Sequence, residues 1–331
     1  MMHPLVKKQP VTSRIADDVL SGLSRAAKSL TPRLFYDAIG SELFERITEL
    51  PEYYLTRTER QIFEERAGEI IDAARRGTNE DAAQGNLTVI ELGAGTASKT
   101  RILLTALLAK QFTATFYPID VSESALEIAE KGLKAEFPRL KVQPLLGDYS
   151  QGLEQISSTA GRKLVLYIGS SMGNFEPGEA GALLQKIRKS LRRGDALLLG
   201  VDLVKDESLL HAAYNDAEGI TDQFNLNILA RINRELGADF DLDNFRHVAM
   251  WNPRASRMEI YVESMREQTV WIPDIGMQVH FRVGERIHTE NSYKFTDEIV
   301  DHILAEGGFV LERRWTDAKD WFGVYLARVR A

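Results

Sequence analysis

The segment Glu91-Leu92-Gly93-Ala94-Gly95-Thr96-Ala97-Ser98-Lys99 places a carboxylate, two closely spaced glycines and a run of small residues directly after the apolar stretch LTVIEL. Glycines in such a turn let the chain reverse tightly and let backbone N–H groups approach a ligand closely. Asp120 ends the next apolar stretch, TATFYPIDV, and Asp148 in Leu146-Gly147-Asp148-Tyr149 ends the one after it. In a doubly wound sheet, acids at strand ends face the ribose and base of a nucleoside ligand. Three ligands compete for this pattern. A nicotinamide dinucleotide wants the third glycine of G-x-G-x-x-G, where this chain has Ser98, and a Walker phosphate loop needs a G-K-[ST] that is absent. S-adenosylmethionine (SAM) needs no pyrophosphate cradle. It wants an acidic strand end, a small-residue loop under its methionine part, an acid for the ribose hydroxyls and an acid near the adenine amino group. Glu91, Gly93, Gly95, Asp120 and Asp148 supply that set in order, so SAM is the expected cofactor. The rival account, glycines as mere turns and acids as mere helix caps, explains one position well and three in register poorly.

The elements that must carry these residues alternate. After LTVIEL comes the helical pattern TRILLTALLAK; after TATFYPIDV comes SALEIAEKGLKAEF, with Ser124 and Glu127 as its expected capping box. Leu126, Ala129, Leu133 and Phe137 make one apolar stripe on that helix. KVQPLLGD, KLVLYIG and ALLLGVD read as further strands, with the helix GALLQKIRKSLRRG before the last. Apolar strands without polar alternation, separated by helices, indicate a parallel sheet covered on both faces. Residues 204–235 read helical, 246–292 read β-rich, and the chain closes with the helix DEIVDHILAEGGF and the strands VLERRWT and WFGVYLARV. The expected fold is therefore α/β: a Rossmann-like core at 61–203 and 295–331, and a second α+β domain from 1–60 and 204–294. At 331 residues the chain has the length of about two ordinary domains.

Composition narrows the function classes. With 41 Lys and Arg against 48 Asp and Glu, the net charge of −7 repels phosphate backbones, so no nucleic-acid partner is expected. Cysteine is absent, which removes disulfides, thiolate metal sites and cysteine nucleophiles. His211, His247, His280 and His288 show no metal-ligand spacing, so no metal is expected. The N-terminal residues have no signal-peptide apolar core, and no apolar run is long enough to span a bilayer. A cytoplasmic monomer without membrane or nucleic-acid partners, acting on a small molecule, is the expectation. The four tryptophans, Trp251, Trp271, Trp315 and Trp321, are expected in the core or at domain interfaces.

Beyond the glycine-rich loop, the chain resembles the histidine Nα-methyltransferases of ergothioneine biosynthesis. The resemblance runs through Leu34-Phe35-Tyr36-Asp37, Leu50-Pro51-Glu52-Tyr53-Tyr54 and Ile168-Gly169-Ser170-Ser171-Met172-Gly173-Asn174-Phe175. It continues through Ala213-Tyr214-Asn215-Asp216, Phe224-Asn225-Leu226-Asn227 and Thr289-Glu290-Asn291-Ser292-Tyr293-Lys294-Phe295. It implies a class I methyltransferase core with a substrate-binding domain made from the N-terminal segment and an insertion. It also implies that Gly93, Lys99, Asp120, Asp148 and Tyr149 bind SAM, with Tyr149 standing where the family can have phenylalanine. Tyr53, Asn174, Tyr214, Glu290, Asn291 and Ser292 would bind histidine, with Tyr36 and the Gly169 carbonyl near its amino group. Ile260 falls where a pocket methionine is expected.

The implied activity is SAM-dependent trimethylation of the α-amino group of L-histidine to hercynine, the first step toward ergothioneine. Such an in-line displacement needs positioning and a dry site rather than a covalent catalyst or strong base, and Asn174 and Tyr36 are the expected positioning groups. Glu290 and Ser292 lie two apart, so in an extended segment a carboxylate and a hydroxyl meet one imidazole. An indole would not satisfy both. Two alternatives remain from the residues: an Nα-methyltransferase for another amino acid or arylalkylamine such as tryptophan, and a non-catalytic cofactor-binding module.

Overall fold

The computed structural model describes residues 11–76, 86–156 and 161–330. Residues 1–10 of the expected substrate domain lie outside them. The chain divides into two compact units, each made of several segments. The larger comprises 48–213, 252–257 and 292–331, and the smaller 1–47, 214–251 and 258–291. The sequence-based boundaries at 60, 203 and 294 thus stand beside observed ones at 47, 213 and 291.

In the larger unit, strands β1 (Leu87–Leu92), β2 (Ala114–Asp120), β3 (Leu140–Val142), β4 (Leu145–Leu146), β5 (Arg162–Tyr167) and β6 (Ala196–Asp202) form a parallel sheet, completed by β12 (Phe309–Thr316) and β13 (Phe322–Val329). The order is β12-β13-β6-β5-β1-β2-β3, with β4 also on β2, and β13 runs antiparallel to both β6 and β12. The chain winds outward from β1 in one direction and returns to lay β5 on its other side. That reversal makes a crevice beyond the carboxyl ends of β1 and β5, where such sheets take ligands. This is the expected Rossmann-like, doubly wound α/β architecture.

Full burial of β1, β6 and β13 explains why their sequences are mostly apolar with no polar alternation. Helices α3 (Tyr54–Arg75), α4 (Thr100–Leu108), α5 (Glu123–Glu136), α6 (Tyr149–Ile156), α7 (Pro177–Lys189) and α10 (Asp297–Glu306) belong to this unit, as does nearly all of α8 (Glu207–Tyr214). Leu198, Leu166 and Val324 join α3 and α4 side chains such as Phe63 and Leu104 in one core cluster, while Leu197, Val165 and Tyr325 join α7 and α10 in another.

Two local expectations are corrected. KVQPLLGD is not one strand: it breaks into β3 and β4 around Pro144, which has no N–H for a ladder. The cap of α5 is Ser122, not Ser124. Asp120 accepts the Ser122 N–H at 2.9 Å, which starts the helix two residues early, and the Ser122 hydroxyl then accepts from the Ala125 N–H. Leu126, Ala129 and Leu133 are buried as the stripe requires, with Phe137 partly buried at the helix end.

The smaller unit holds α1 (Val11–Leu23), most of α2 (Ala38–Glu49) and α9 (Ile220–Leu236). It also carries the three-stranded sheet β11-β8-β7, built from β7 (Phe245–Asn252), β8 (Arg257–Ser264) and β11 (Arg286–Tyr293), whose ends pass into the larger unit. The hairpin of β9 (Gln268–Ile272) and β10 (Met277–Phe281) completes it. Trp271 departs from its expected place. It sits on that hairpin with 41% of its surface exposed, because outward positions of a two-stranded ribbon have no layer to cover them.

Among the described residues no helix is long and apolar enough to cross a membrane. The corrected cap gives a direct check. Replacing Ser122 by Ala should lower unfolding free energy in urea by about 1 kcal/mol, whereas Ser124→Ala should change it by less than about half that.

Candidate active site

The cofactor-side residues all lie in the larger unit, at the carboxyl ends of β1, β2 and β4. Gly93 follows β1 with φ +72°, a conformation open to glycine, and donates its N–H to the Ile119 carbonyl at 2.8 Å. A Cβ there would also stand 3.2 Å from the Tyr149 hydroxyl, so Gly93 and Tyr149 face each other closely. The Tyr149 ring meets Tyr167 edge-on at 5.6 Å between centroids, and burial pushes its phenol up to about 12. Tyr149 is therefore neutral, an aromatic face with a hydroxyl at its rim.

Asp120 is held by backbone: Gly95 N–H donates to Oδ2 at 2.8 Å and Ser122 N–H to Oδ1 at 2.9 Å. Those bonds pull its pKa down, but the larger effect of burial leaves it raised. The remaining lone pairs of this fixed carboxylate suit a pair of ribose hydroxyls. Asp148 caps α6, accepting from Gln151 N–H at 3.0 Å through Oδ1, and stays exposed on its other side. Glu91, placed in the ligand set from sequence, is buried and bonded to the Thr100 hydroxyl at 2.7 Å. Burial pushes its carboxyl up to about 8, so it enters the loop as a neutral acid. This cradle of positive-φ glycines, a backbone-oriented acid and an aromatic edge fits a SAM nucleoside.

Lys99 has a partner that sequence reading missed. It forms an ion pair with Glu59 of α3, which is fully buried. Glu59 also accepts the Gly169 N–H through both oxygens, at 2.9 and 3.1 Å, and a Cβ at Gly200 would collide with its Oε1. One carboxylate thus joins the loop after β1 to the turn after β5. In that turn Gly169 and Ser170 both take positive φ, at +76° and +60°, and Ser170 accepts the Asp202 N–H through its hydroxyl at 2.9 Å. No sequence signal marks Glu59, since a glutamate among polar helix residues reads as a solvated one.

Of the expected histidine contacts, Tyr53, Asn174 and Ser292 belong to the larger unit, and Tyr36, Tyr214, Glu290 and Asn291 to the smaller. Tyr53 immediately precedes α3. Asn174 ends a short 3-10 turn at Ser171–Asn174 beyond β5. At Gly173 a Cβ would stand 2.8 Å from the Tyr293 carbonyl oxygen, so the Asn174 turn packs directly on the chain beside Ser292. Ser292 is buried and accepts a 2.9 Å hydrogen bond from the buried Lys294. Lys294 pairs at 2.9 Å with Asp202, which also takes the Tyr54 hydroxyl at 2.8 Å and Lys205 at 2.5 Å. Sequence offered one unused signal for this cluster, an acid ending the apolar strand ALLLGVD.

In the smaller unit, Tyr214 is buried and its carbonyl meets the His247 ring at 2.8 Å; the other ring nitrogen meets Asn225 at 2.8 Å. Glu290 and Asn291 lie on β11, and the Asn291 side-chain oxygen is 2.8 Å from the His288 ring. Ile260 is buried on β8, where its carbonyl accepts the Thr289 hydroxyl at 3.2 Å.

Comparison with known proteins gives a consistent result. The profile described as histidine-specific methyltransferase, SAM-dependent, matches residues 15–329. The chain is 44% identical to the histidine N-alpha-methyltransferase of Mycolicibacterium smegmatis over 94% of its own length and 93% of the relative's. It is 42% identical to the protein of the same name from Mycobacterium tuberculosis, with the same shares covered. It is 29% identical to ergothioneine biosynthesis protein 1 of Neurospora crassa, over 90% of this chain and 33% of that longer protein.

The state of Glu91 is testable through stability. The unfolded chain loses this proton near its ordinary value of 4.5, whereas the folded protein keeps it to about 8. Between those values the folded state binds more protons, so this group's contribution to stability falls as pH rises through that window. Urea unfolding at about pH 5, 6.5 and 8 should show stability declining more steeply in the parent than in Glu91→Gln; equal slopes would refute a neutral Glu91.

Proposed function

The chain belongs to the histidine-specific, SAM-dependent methyltransferase family, and from that premise we propose that it trimethylates the α-amino group of L-histidine to hercynine, on the route toward ergothioneine. Within the larger unit the reading is supported by the Glu59 carboxylate, which ties Lys99 to the Gly169 turn, and by the Asn174 turn packed on the chain beside Ser292. When bound, SAM supplies a methyl group on a sulfonium sulfur. The chain's own residues bind and orient. Gly93, Lys99, Asp120, Asp148 and Tyr149 hold the donor: Asp120 accepts from ribose hydroxyls, Asp148 from the adenine amino group, and Lys99 pairs with the methionine carboxylate.

On the substrate side, the amide of Asn174 and the phenols of Tyr53 and Tyr214 donate to the histidine α-carboxylate or its water shell. The amine must arrive neutral, and the Gly169 carbonyl with Tyr36 accepts its N–H groups, leaving the lone pair aimed outward. The ammonium formed at each of the first two transfers gives one proton to water, so the amine is neutral again for the next, and the third transfer leaves a quaternary nitrogen with no proton to lose. Glu290 accepts from one imidazole nitrogen and Ser292 bonds the other, with Asn291 beside them. No side chain forms a covalent intermediate, consistent with a chain that has no cysteine. We place the enzyme in the cytoplasm as a monomer acting on a free amino acid.

Incubation of the protein with histidine and SAM should yield, by mass spectrometry, a product heavier by three methyl groups. Absence of methylated histidine would overturn the substrate. Glu290→Ala should raise the histidine KM by about tenfold or more, as expected when a charged hydrogen bond is lost, while leaving the calorimetric Kd for SAM within about threefold. A panel including tryptophan and arylalkylamines separates the histidine reading from its nearest rival.

A further inference from the structure

We propose that Glu59 is a positioning residue for the first two methyl transfers and not for the third: by holding the Gly169 N–H it aims the Gly169 carbonyl, which accepts the N–H groups of the substrate amine. The proposal rests on the reading of that carbonyl as an amine contact and adds what aims it and which transfers depend on it.

The turn after β5 is clamped at two consecutive peptides. Gly169 N–H donates to both oxygens of Glu59, at 2.9 and 3.1 Å, and the next N–H, that of Ser170, donates to the Gly200 carbonyl of β6 at 3.1 Å. In a trans peptide the N–H and C=O point in opposite directions, so the second bond sends the Gly169 carbonyl oxygen away from Gly200. Strand β5 lies between β6 and β1, which makes that direction the side of the glycine-rich loop. The first bond controls what freedom is left. Gly169 sits at φ +76°, and rotation about that bond would swing its carbonyl relative to the peptide that Glu59 holds. Glu59 has little room to drift. It is fully buried, it is paired with Lys99, and its Oε1 lies 2.1 Å from where a Gly200 Cβ would stand. Glu59, Lys99, Gly169, Ser170 and Gly200 all belong to the larger unit.

The reacting nitrogen loses hydrogens as the reaction proceeds. The neutral amine of histidine carries two N–H groups, its monomethyl form one and its dimethyl form none. In each round the nitrogen lone pair forms a bond to the methyl carbon while the C–S bond breaks and sulfur keeps the electron pair. A carbonyl accepts and cannot donate, so it orients the amine only while an N–H remains. It can turn the lone pair toward the donor methyl in the first two transfers, where alignment sets the rate. In the third it has no hydrogen to accept. Loss of its aim is therefore felt according to the N–H count, whereas a general loosening of the fold would slow every round alike.

The test uses the full chain at saturating SAM, which removes donor affinity from the comparison, and reads kcat/KM for histidine and for Nα,Nα-dimethylhistidine. Their ratio weighs the first transfer against the third. Glu59→Asp keeps a carboxylate on α3 but withdraws it from Gly169 by one methylene, and should lower that ratio by about fivefold or more. Glu59→Gln keeps the length and one accepting oxygen, and should leave the ratio within about twofold of the parent's. A parental ratio in Glu59→Asp, whether both substrates fall equally or neither falls, overturns the proposal. So does a Glu59→Gln ratio as low as that of Glu59→Asp. Should Glu59→Asp not fold, Glu59→Met, which has the length without an oxygen, takes its place with the same fall expected. An amide-to-ester exchange at the Gly169–Ser170 bond weakens the Gly169 carbonyl as an acceptor without altering Glu59, and should lower the ratio too. If the ester enzyme keeps the parental ratio, the reading of the carbonyl fails and the proposal with it. If the ester lowers the ratio and Glu59→Asp does not, that reading stands and the role of Glu59 falls.

Discussion

The carboxylate of Glu59 is the constraint around which the ligand edge of the sheet is arranged. A fully buried carboxylate is costly unless its charge is paired and its lone pairs are filled, and here Lys99 and the Gly169 N–H do both. Satisfying it dictates much else. Gly200 can carry no side chain because the carboxylate occupies that space, and the Gly169–Ser170 turn is drawn into positive φ where its N–H reaches Glu59. The same ion pair orients Lys99, at the end of the glycine-rich loop. Helix α3 is thereby tied to the loop after β1 and the turn after β5 even though it lies outside the βαβ pattern.

A second buried cluster continues the arrangement along β6. Asp202 ends that strand and gathers Lys294, Lys205 and the Tyr54 hydroxyl, while its N–H is held by Ser170. Two cations around one carboxylate in an unexposed place would be unfavourable as a stability device alone. Their effect is directional: the network fixes which groups donate and which accept along the Ser170 and Ser292 segments.

The alternating apolar strands and helices, the glycine-rich loop and the acids at strand ends were all readable in the chain, because each is a local consequence of period, turn geometry or strand termination. The readings that missed share a cause. Ser124 looked like a cap because Glu127, three residues on, completes the [ST]-x-x-[DE] pattern, but Asp120 holds the Ser122 N–H and the helix is capped there. Pro144 interrupted what apolarity alone would join. Trp271 is apolar in type yet faces outward on a ribbon with no covering layer.

The sequence by itself determined the fold class, the expected donor and the residue types offered to an amino-acid substrate, since these follow from short-range patterns and from segments specific to a family. Long-range partners were another matter. Glu59 meets Gly169, and Asp202 meets Lys294, across 110 and 92 positions of chain respectively. A charged side chain carries no local mark of whether it will be solvated or buried against a distant partner. That choice is made when the sheet closes, α3 packs on it and water leaves, because only then does each charge have to find its counterpart.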